Sequence, residues 1–371
     1  MQLLQKILNK TGCLFILSCM LFSACNDKTS KVDKHNQNNQ SKSILPEVAV
    51  IKESFTTRHD ESDNVDSPAL WHGREGENWL LATAKKGNAI IAYDAASGEK
   101  IGRFGSFGTG LGELSRPNGI AVIDDYAVVI ERDNHRVQVF LLPEFKSLGV
   151  FGESVLRLPY GLTIDRFEGK YHLYVTDNYE TPEEETPPAD SLGQRVHHFV
   201  FTVEDNRVTA EHIRAFGDTS DEGVLYKVES ILVDRDYNRL LIADEHEDHC
   251  NIKIYDTEGR FTGQIIPHIY FFYEPEGIVV WECEADNSGY YIIVDQGKIN
   301  NTFQVFDRKT LEYIGGFRGE ITRNTDGTAI TQKAFGDFSY GAFYPVHNDG
   351  SLTAISWKDI AATLGLRNDC N

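Results

Sequence analysis

Apolar and polar positions alternate along this chain in short runs. "IIAYD" (Ile90 to Asp94), "VQVFL" (Val137 to Leu141), "IKIYD" (Ile252 to Asp256) and "FQVFD" (Phe303 to Asp307) each send every second side chain to one face. That is the period of strands in sheets packed face to face. Each run closes a larger unit that opens on an x-x-Gly-hydrophobic start, then a turn, a second β-run and a polar turn. Four units begin at Arg116, Leu158, Lys227 and Glu274, and less regular copies begin at Asn64 and end at Trp357. The equivalent positions Gly119, Gly161, Ser230, Gly277 and Gly327 are 42, 69, 47 and 50 residues apart. Apart from the 69, these intervals match a four-stranded blade of about 40–50 residues. Six copies predict an all-β chain, a six-bladed β-propeller of four-stranded blades over residues 46–371. The long interval comes from an acidic, proline-rich insertion, Tyr179 to Arg195, which reads as a solvated loop or, alternatively, a lid or partner site. One helix is expected, over Trp357 to Gly365, with Gly365 as its stop.

The start of the chain breaks this pattern. Lys6 and Lys10 precede an apolar run, Leu14 to Phe22, that ends in "FSAC". This is the layout of a lipoprotein leader over residues 1–24, with Cys25 as the acylated first residue of the mature protein. The run is too short for a membrane span, which needs about 20 residues. Residues 25–45 carry almost no apolar content and predict a disordered tether. The expected location is the cell envelope, anchored to the outer membrane through lipid alone.

Charge narrows the candidate partners. The formal net charge is −20, or −22 once Lys6 and Lys10 leave with the leader. Such a surface repels nucleic acid and anionic lipid. Of six cysteines, Cys250, Cys283 and Cys370 remain after the leader and Cys25 are set aside. At most one disulfide can form among these three, and the spacing does not choose the pair. A monomer is expected.

A propeller gathers the ends of its inner strands around a central channel. Residues opening each repeat, Asp66, Glu229, Glu276 and Asp326, and those after each second run, Lys85, Lys86, Glu131, Arg132, Asp177, Asp244, Glu245 and Asp295, are the candidates to meet there. Carboxylates crowded into one mouth repel, and a cation relieves them. Oxygen donors from several loops suit calcium and suit zinc poorly. The stretch "DEHEDHC" (Asp244 to Cys250) reads as Glu245 facing the mouth, Asp244 pointing the other way, and a wet turn of His246 to His249. A zinc site of His246, His249 and Cys250 is the alternative. His197 and His198 lie in one strand and point to opposite faces. No GxSxG elbow, P-loop or CxxC pattern occurs.

The motifs "DSPALW" (Asp66 to Trp71), "ATAKKGNAIIAYD" (Ala82 to Asp94), "IERDN" around Arg132, "YGLTI" (Tyr160 to Ile164), "VESILVD" with "LLIADEHE" (Val228 to Glu247), "PEGIVV" (Pro275 to Val280), "NTDG" (Asn324 to Gly327) and "FSYGAFYPVHNDG" occur in order over nearly the whole domain. In this the chain resembles the β-propeller phytases, calcium-dependent enzymes that release phosphate from inositol hexakisphosphate. The resemblance implies a Ca2+ cofactor held by Asp66, Glu229, Glu245, Glu276 and Asp326. It implies phosphate binding by Lys85, Lys86 and Arg132, and catalytic roles for Glu229 and Tyr160. Its implied substrate is phytate or a related inositol phosphate. Two positions depart from the family: Asp177, Asn178 and Tyr179 stand where a lysine and a glutamate are usual, and Asp66 and Ser67 where two aspartates are. A second resemblance covers Phe104 to Phe140, which is similar to an NHL repeat. It implies the alternative of a non-catalytic binding propeller with structural calcium.

Overall fold

The computed structural model describes residues 48–370. The expected leader, Cys25 and the whole of the expected tether lie outside these residues. Six antiparallel sheets follow one another along the chain. The innermost strands of blades 1 to 5 are Val65–His72, Pro117–Ile123, Pro159–Phe167, Val228–Asp234 and Glu274–Cys283, and that of blade 6 is Thr328–Thr331. Each lies beside the next, and the last lies beside the first, so the ring closes as a six-bladed propeller. Between adjacent blades sit fully buried apolar layers, such as Leu241, Ala243, Ile252 and Ile254 of blade 4 against Ile293 and Phe306 of blade 5. The alternation seen in the sequence supplies one such face to each neighbour.

Both ends of the chain meet at one seam. Blade 6 takes three strands from the C-terminal part, and its outermost strand is the two-residue Phe55–Thr56, paired antiparallel to Ser351–Ser356. Ala49–Ile51 adds a fifth, parallel strand to the outer edge of blade 5. The helix Trp357–Leu364 ends at Gly365, which adopts the left-handed conformation (φ 67°), as expected for a C-terminal stop. Its Trp357 stacks on Trp281 of blade 5 with ring centroids 5.3 Å apart.

The insertion after the second strand of blade 3 is not simply a solvated loop. Arg195, fully buried, donates to the carbonyls of Asp177, Tyr179, Leu225 and Tyr226. Tyr179 and Leu192 pack with Val224. The acidic residues between them stay at the surface while both ends of the insertion are bolted to the domain. No helix among the described residues is long and apolar enough to cross a membrane.

Candidate functional site at the channel mouth

One irregularity, repeated around the ring, builds the site. In blades 1 to 5 the innermost strand slips against the second strand at the same place, as where Val65 pairs with Ala84 but Pro68 with Ala82, or Val228 with Asp244 but Ile231 with Ile242. The same slip occurs after Pro117, Pro159 and Pro275. Three residues of the inner strand span two of its partner, the count of a β-bulge, which frees a side chain from the regular pleat and re-aims it. The freed pairs are Asp66 and Ser67, Asn118 and Gly119, Tyr160 and Gly161, Glu229 and Ser230, and Glu276 and Gly277. Asp326 and Gly327 hold the matching place just before the inner strand of blade 6.

The second residue of each pair must be small because the next blade closes on it. A Cβ on Gly327 would lie 2.6 Å from the Asp66 carbonyl oxygen, and one on Gly161 would overlap the Glu229 carbonyl oxygen. The repeated x-x-Gly start is thus the mark of inner strands packed backbone to backbone around a channel. The first residue of the pair carries the chemistry. Asp66, Tyr160, Glu229, Glu276 and Asp326 line one central cavity of about 90 Å³. That space holds several waters or an ion, and an inositol polyphosphate would have to lie over it.

A second tier stands one residue beyond the second-strand position that pairs just before the slip, as Ala84, Asp244 and Asp295 do. It supplies Lys85 from blade 1 and Glu245 from blade 4. Glu229, Glu245 and Glu276 each bring a carboxylate oxygen within 4.8 Å of the other two. Lys85 Nζ lies 2.5 Å from Asp66 Oδ1 and 3.5 Å from Asp326 Oδ2. Lys227 Nζ lies 3.1 Å from Glu245 Oε2 and 3.9 Å from Glu229 Oε1. Glu245 is 1% exposed, and the Lys227 ammonium group beside Oε2 is the only partner of its two carboxylate oxygens among the described residues. Gln296, second-tier residue of blade 5, donates to Asp326 Oδ1. Five carboxylates therefore share two ammonium groups in a nearly closed space.

The electrostatics follow from that imbalance. Burial, then the neighbouring Glu229, push the Glu245 carboxyl well above the usual range. Burial, then Glu245 and Glu229, do the same to Glu276. Burial raises Asp326 to about 8 even though Lys85 opposes it. Glu229 is raised by burial against the pull of Lys227 and Lys85, and the Tyr160 hydroxyl hydrogen-bonds to it. Burial would lower both lysines, but Asp66 and Asp326 hold Lys85 high, and Glu245 and Glu229 hold Lys227 high. Burial, with Glu229 and Asp66 nearby, keeps the Tyr160 phenol protonated. A cluster in this state takes up either protons or a cation. The buried Glu245 oxygens, met only by Lys227 and standing beside two more carboxylates, fit a hard cation such as calcium.

Several candidates land elsewhere. Glu131, Asp177, Asp244 and Asp295 occupy the second-strand position that pairs just before the slip and turn away from the channel. Glu131 accepts from the Ser115 N–H at 3.1 Å and pairs with Arg136 at 2.6 Å. Asp177 accepts from the N–H groups of Arg157 and Leu158, Asp244 from those of Tyr226 and Lys227, and Asp295 from that of Tyr273. One acid in each of blades 2 to 5 thus caps the loop entering the inner strand, and the expectation that these four join the ring is corrected. Lys86 is exposed and borders a separate cavity with Lys298, Asn324 and Asp349. Arg132 pairs with Asp133 at 2.8 Å. Neither lines the central cavity. Asn178 accepts from the Val228 N–H.

The "DEHEDHC" stretch divides as read from the sequence, with Asp244 turned inward to Lys253 at 2.5 Å and Glu245 in the channel. His246, His249 and Cys250 are not among the carboxylates that converge; the only triad of possible ligands found among the described residues is Glu229, Glu245 and Glu276. His197 and His198 do face opposite ways, the first to His212 and the second to His172, each at 3.1 Å.

Two residues of interest escaped the sequence reading. Lys227 stands two residues before Glu229, a position that is cationic elsewhere only at Arg116 of blade 2 and is Asn64, Leu158, Glu274 or Asn324 in the other blades. Asn118 fills the first freed position of blade 2, fully buried, with neither side-chain polar atom partnered. Its place before Gly119 was the available signal.

No family model matches this chain, and no curated protein is similar to it. Among solved structures, it is similar to Kuenenia stuttgartiensis hydrazine synthase, at 13% identity over 86% of each chain with a TM-score of 0.48. A chain of a nidogen/laminin complex is similar at 11% identity, over 70% of this chain and 82% of that one, with a TM-score of 0.44. At these levels neither likeness carries a functional argument, and the reading of the site rests on its own residues.

Proposed function

We propose that the protein is a calcium-dependent phosphomonoester hydrolase of the β-propeller phytase type, acting on phytate or a related inositol phosphate from a lipid anchor at the cell envelope. The observation that carries this reading is the convergence of Glu229, Glu245 and Glu276 within 4.8 Å, with Asp66 and Asp326 in the same cavity and only two lysines to balance them. Those five carboxylates would hold the cation. Calcium, when bound, supplies positive charge that acidifies water and offsets the charge developing on a transferring phosphoryl group.

The chain's own groups then have distinct tasks. Glu229, with its raised pKa, is suited to take a proton from water near neutral pH. The Tyr160 hydroxyl, beside Glu229 in the cavity, would favour its ionised form against burial. Lys85 and Lys227 bring two ammonium groups beside the carboxylates, where they would meet an approaching phosphate. Lys227 also brings an ammonium group to the side of the mouth where Asp177 and Asn178 bring none.

A second reading is favoured by one observation. Lys85 is held by Asp66 and Asp326, and Arg132 by Asp133, so neither is free to grip phosphate while those pairs persist. This supports a non-catalytic propeller with structural calcium. Incubating the purified protein with phytate in calcium and in chelator separates the two. Under both, chelation lowers the Tm; calcium-dependent release of phosphate occurs only under the first, and its absence refutes the hydrolase.

A further inference from the structure

We propose that Cys283 and Cys370 form a disulfide that fastens the C-terminal tail to blade 5. Cys283 is the last residue of that blade's inner strand, at the end away from the mouth, and is fully buried. The partly buried Cys370 packs against the same apolar cluster. Its thiol lies 3.7 Å from the carbonyl of Glu282, the residue before Cys283. Cys250 belongs to blade 4 and contacts the His246 carbonyl instead.

The tail is positioned independently of any bond between the sulfurs. Trp357 Nε1 donates to the Arg367 carbonyl at 3.0 Å, and the Arg367 N–H donates to the Tyr290 hydroxyl at 3.2 Å. The Arg367 guanidinium donates to Asp286 at 2.7 Å and to Ser288 Oγ at 2.8 Å. Asp286 and Ser288 belong to the hairpin that follows Cys283. Three anchors therefore hold Cys370 over Cys283, the arrangement in which a disulfide forms with little movement.

The reaction is a thiol–disulfide exchange. A disulfide-bearing oxidant, small molecule or protein, accepts two electrons and two protons and leaves as two thiols, while one S–S bond forms in the protein. Cys370, the accessible partner, attacks first, and Cys283 then displaces the oxidant's remaining half. Burial and the adjacent Cys283 push the Cys370 thiol up to about 11, with Arg367 opposing, so the exchange is slow at neutral pH and faster in mild alkali. The bond would tie the tail that follows the helix Trp357–Leu364 to blade 5.

The test uses the full chain, reduced and then incubated with oxidised glutathione at mildly alkaline pH, alkylated and digested without reductant. Mass spectrometry should find the two tail and blade-5 peptides joined through Cys283 and Cys370, lighter by two hydrogen atoms than the dithiol pair. Oxidation should raise the Tm by about 5–7 °C, reversibly with dithiothreitol. Neither C370S nor C283A should show the rise. Recovery of the two residues as alkylated thiols or separate glutathione adducts, or a link through Cys250, overturns the proposal.

Discussion

Replacing Glu245 by glutamine removes an ionisable group from the carboxylate cluster, and with it the cost of either charging or protonating that group, and keeps its shape. With an effective dielectric of about 20, two like charges 4.8 Å apart repel by about 3.5 kcal/mol, and Glu245 has two such neighbours in Glu229 and Glu276. Attraction to Lys227 across 3.1 Å returns about 5 kcal/mol on the same scale. Repulsion therefore exceeds attraction by about 1.5 kcal/mol, and burial of the charge adds to the cost. Without a divalent cation, Glu245→Gln should be the more stable protein, by about 2 °C in Tm for a domain of this size. In saturating calcium the order should invert, because the variant has lost an anionic ligand and the wild type has its repulsion relieved. Scanning calorimetry of both proteins, in EGTA and in calcium, measures this. A variant that melts below the wild type in EGTA would refute the reasoning, since Glu245 would then act mainly as the structural partner of Lys227.

Lys85→Ala should cost about 3–5 kcal/mol in the cation-free protein, because it leaves Asp66 and Asp326 buried beside one another without their ammonium group; urea denaturation in EGTA reads the loss. The cation-free wild type should lose stability as pH rises through the range from about 4 to about 8. Asp326 is raised from 3.8 to about 8, so the folded state binds the extra proton in that window, and the full penalty stands above it. Calcium should flatten this slope in a Tm–pH series, and a rising slope in EGTA would contradict it. Gly161→Ala should disrupt the ring, as its methyl group would overlap the Glu229 carbonyl, and loss of the cooperative melting transition is the expected sign.

Much of the fold was legible because its cause is local and repeated. Four alternating strands per unit announce a blade, and Gly161 or Gly327 marks where one inner strand meets the next. The first tier of the site was legible for the same reason, since Asp66, Tyr160, Glu229, Glu276 and Asp326 stand directly before the small residue the channel requires. The second tier was harder. Asp244 and Glu245 are adjacent acids, and only the strand pleat decides that one caps backbone amides while the other enters the channel. Without that phase, Glu131, Asp177 and Asp295 look as suitable as Glu245. Lys227 was hidden because its direction is set by a loop, and loops carry no periodicity. The proximity of Cys283 and Cys370, separated by most of two blades in sequence, depends on the path of the tail after its helix, which no spacing reveals.

The central claim, that the carboxylate cluster serves cation-dependent phosphate-ester hydrolysis, is tested most directly by measuring phosphate release from phytate. Wild type and Glu229→Gln are compared in calcium and in EGTA, with folding of each checked by its melting transition. The account predicts release by the wild type in calcium, none in EGTA, and little by a folded Glu229→Gln in either. No release by the wild type in calcium, or equal release in EGTA, would contradict it.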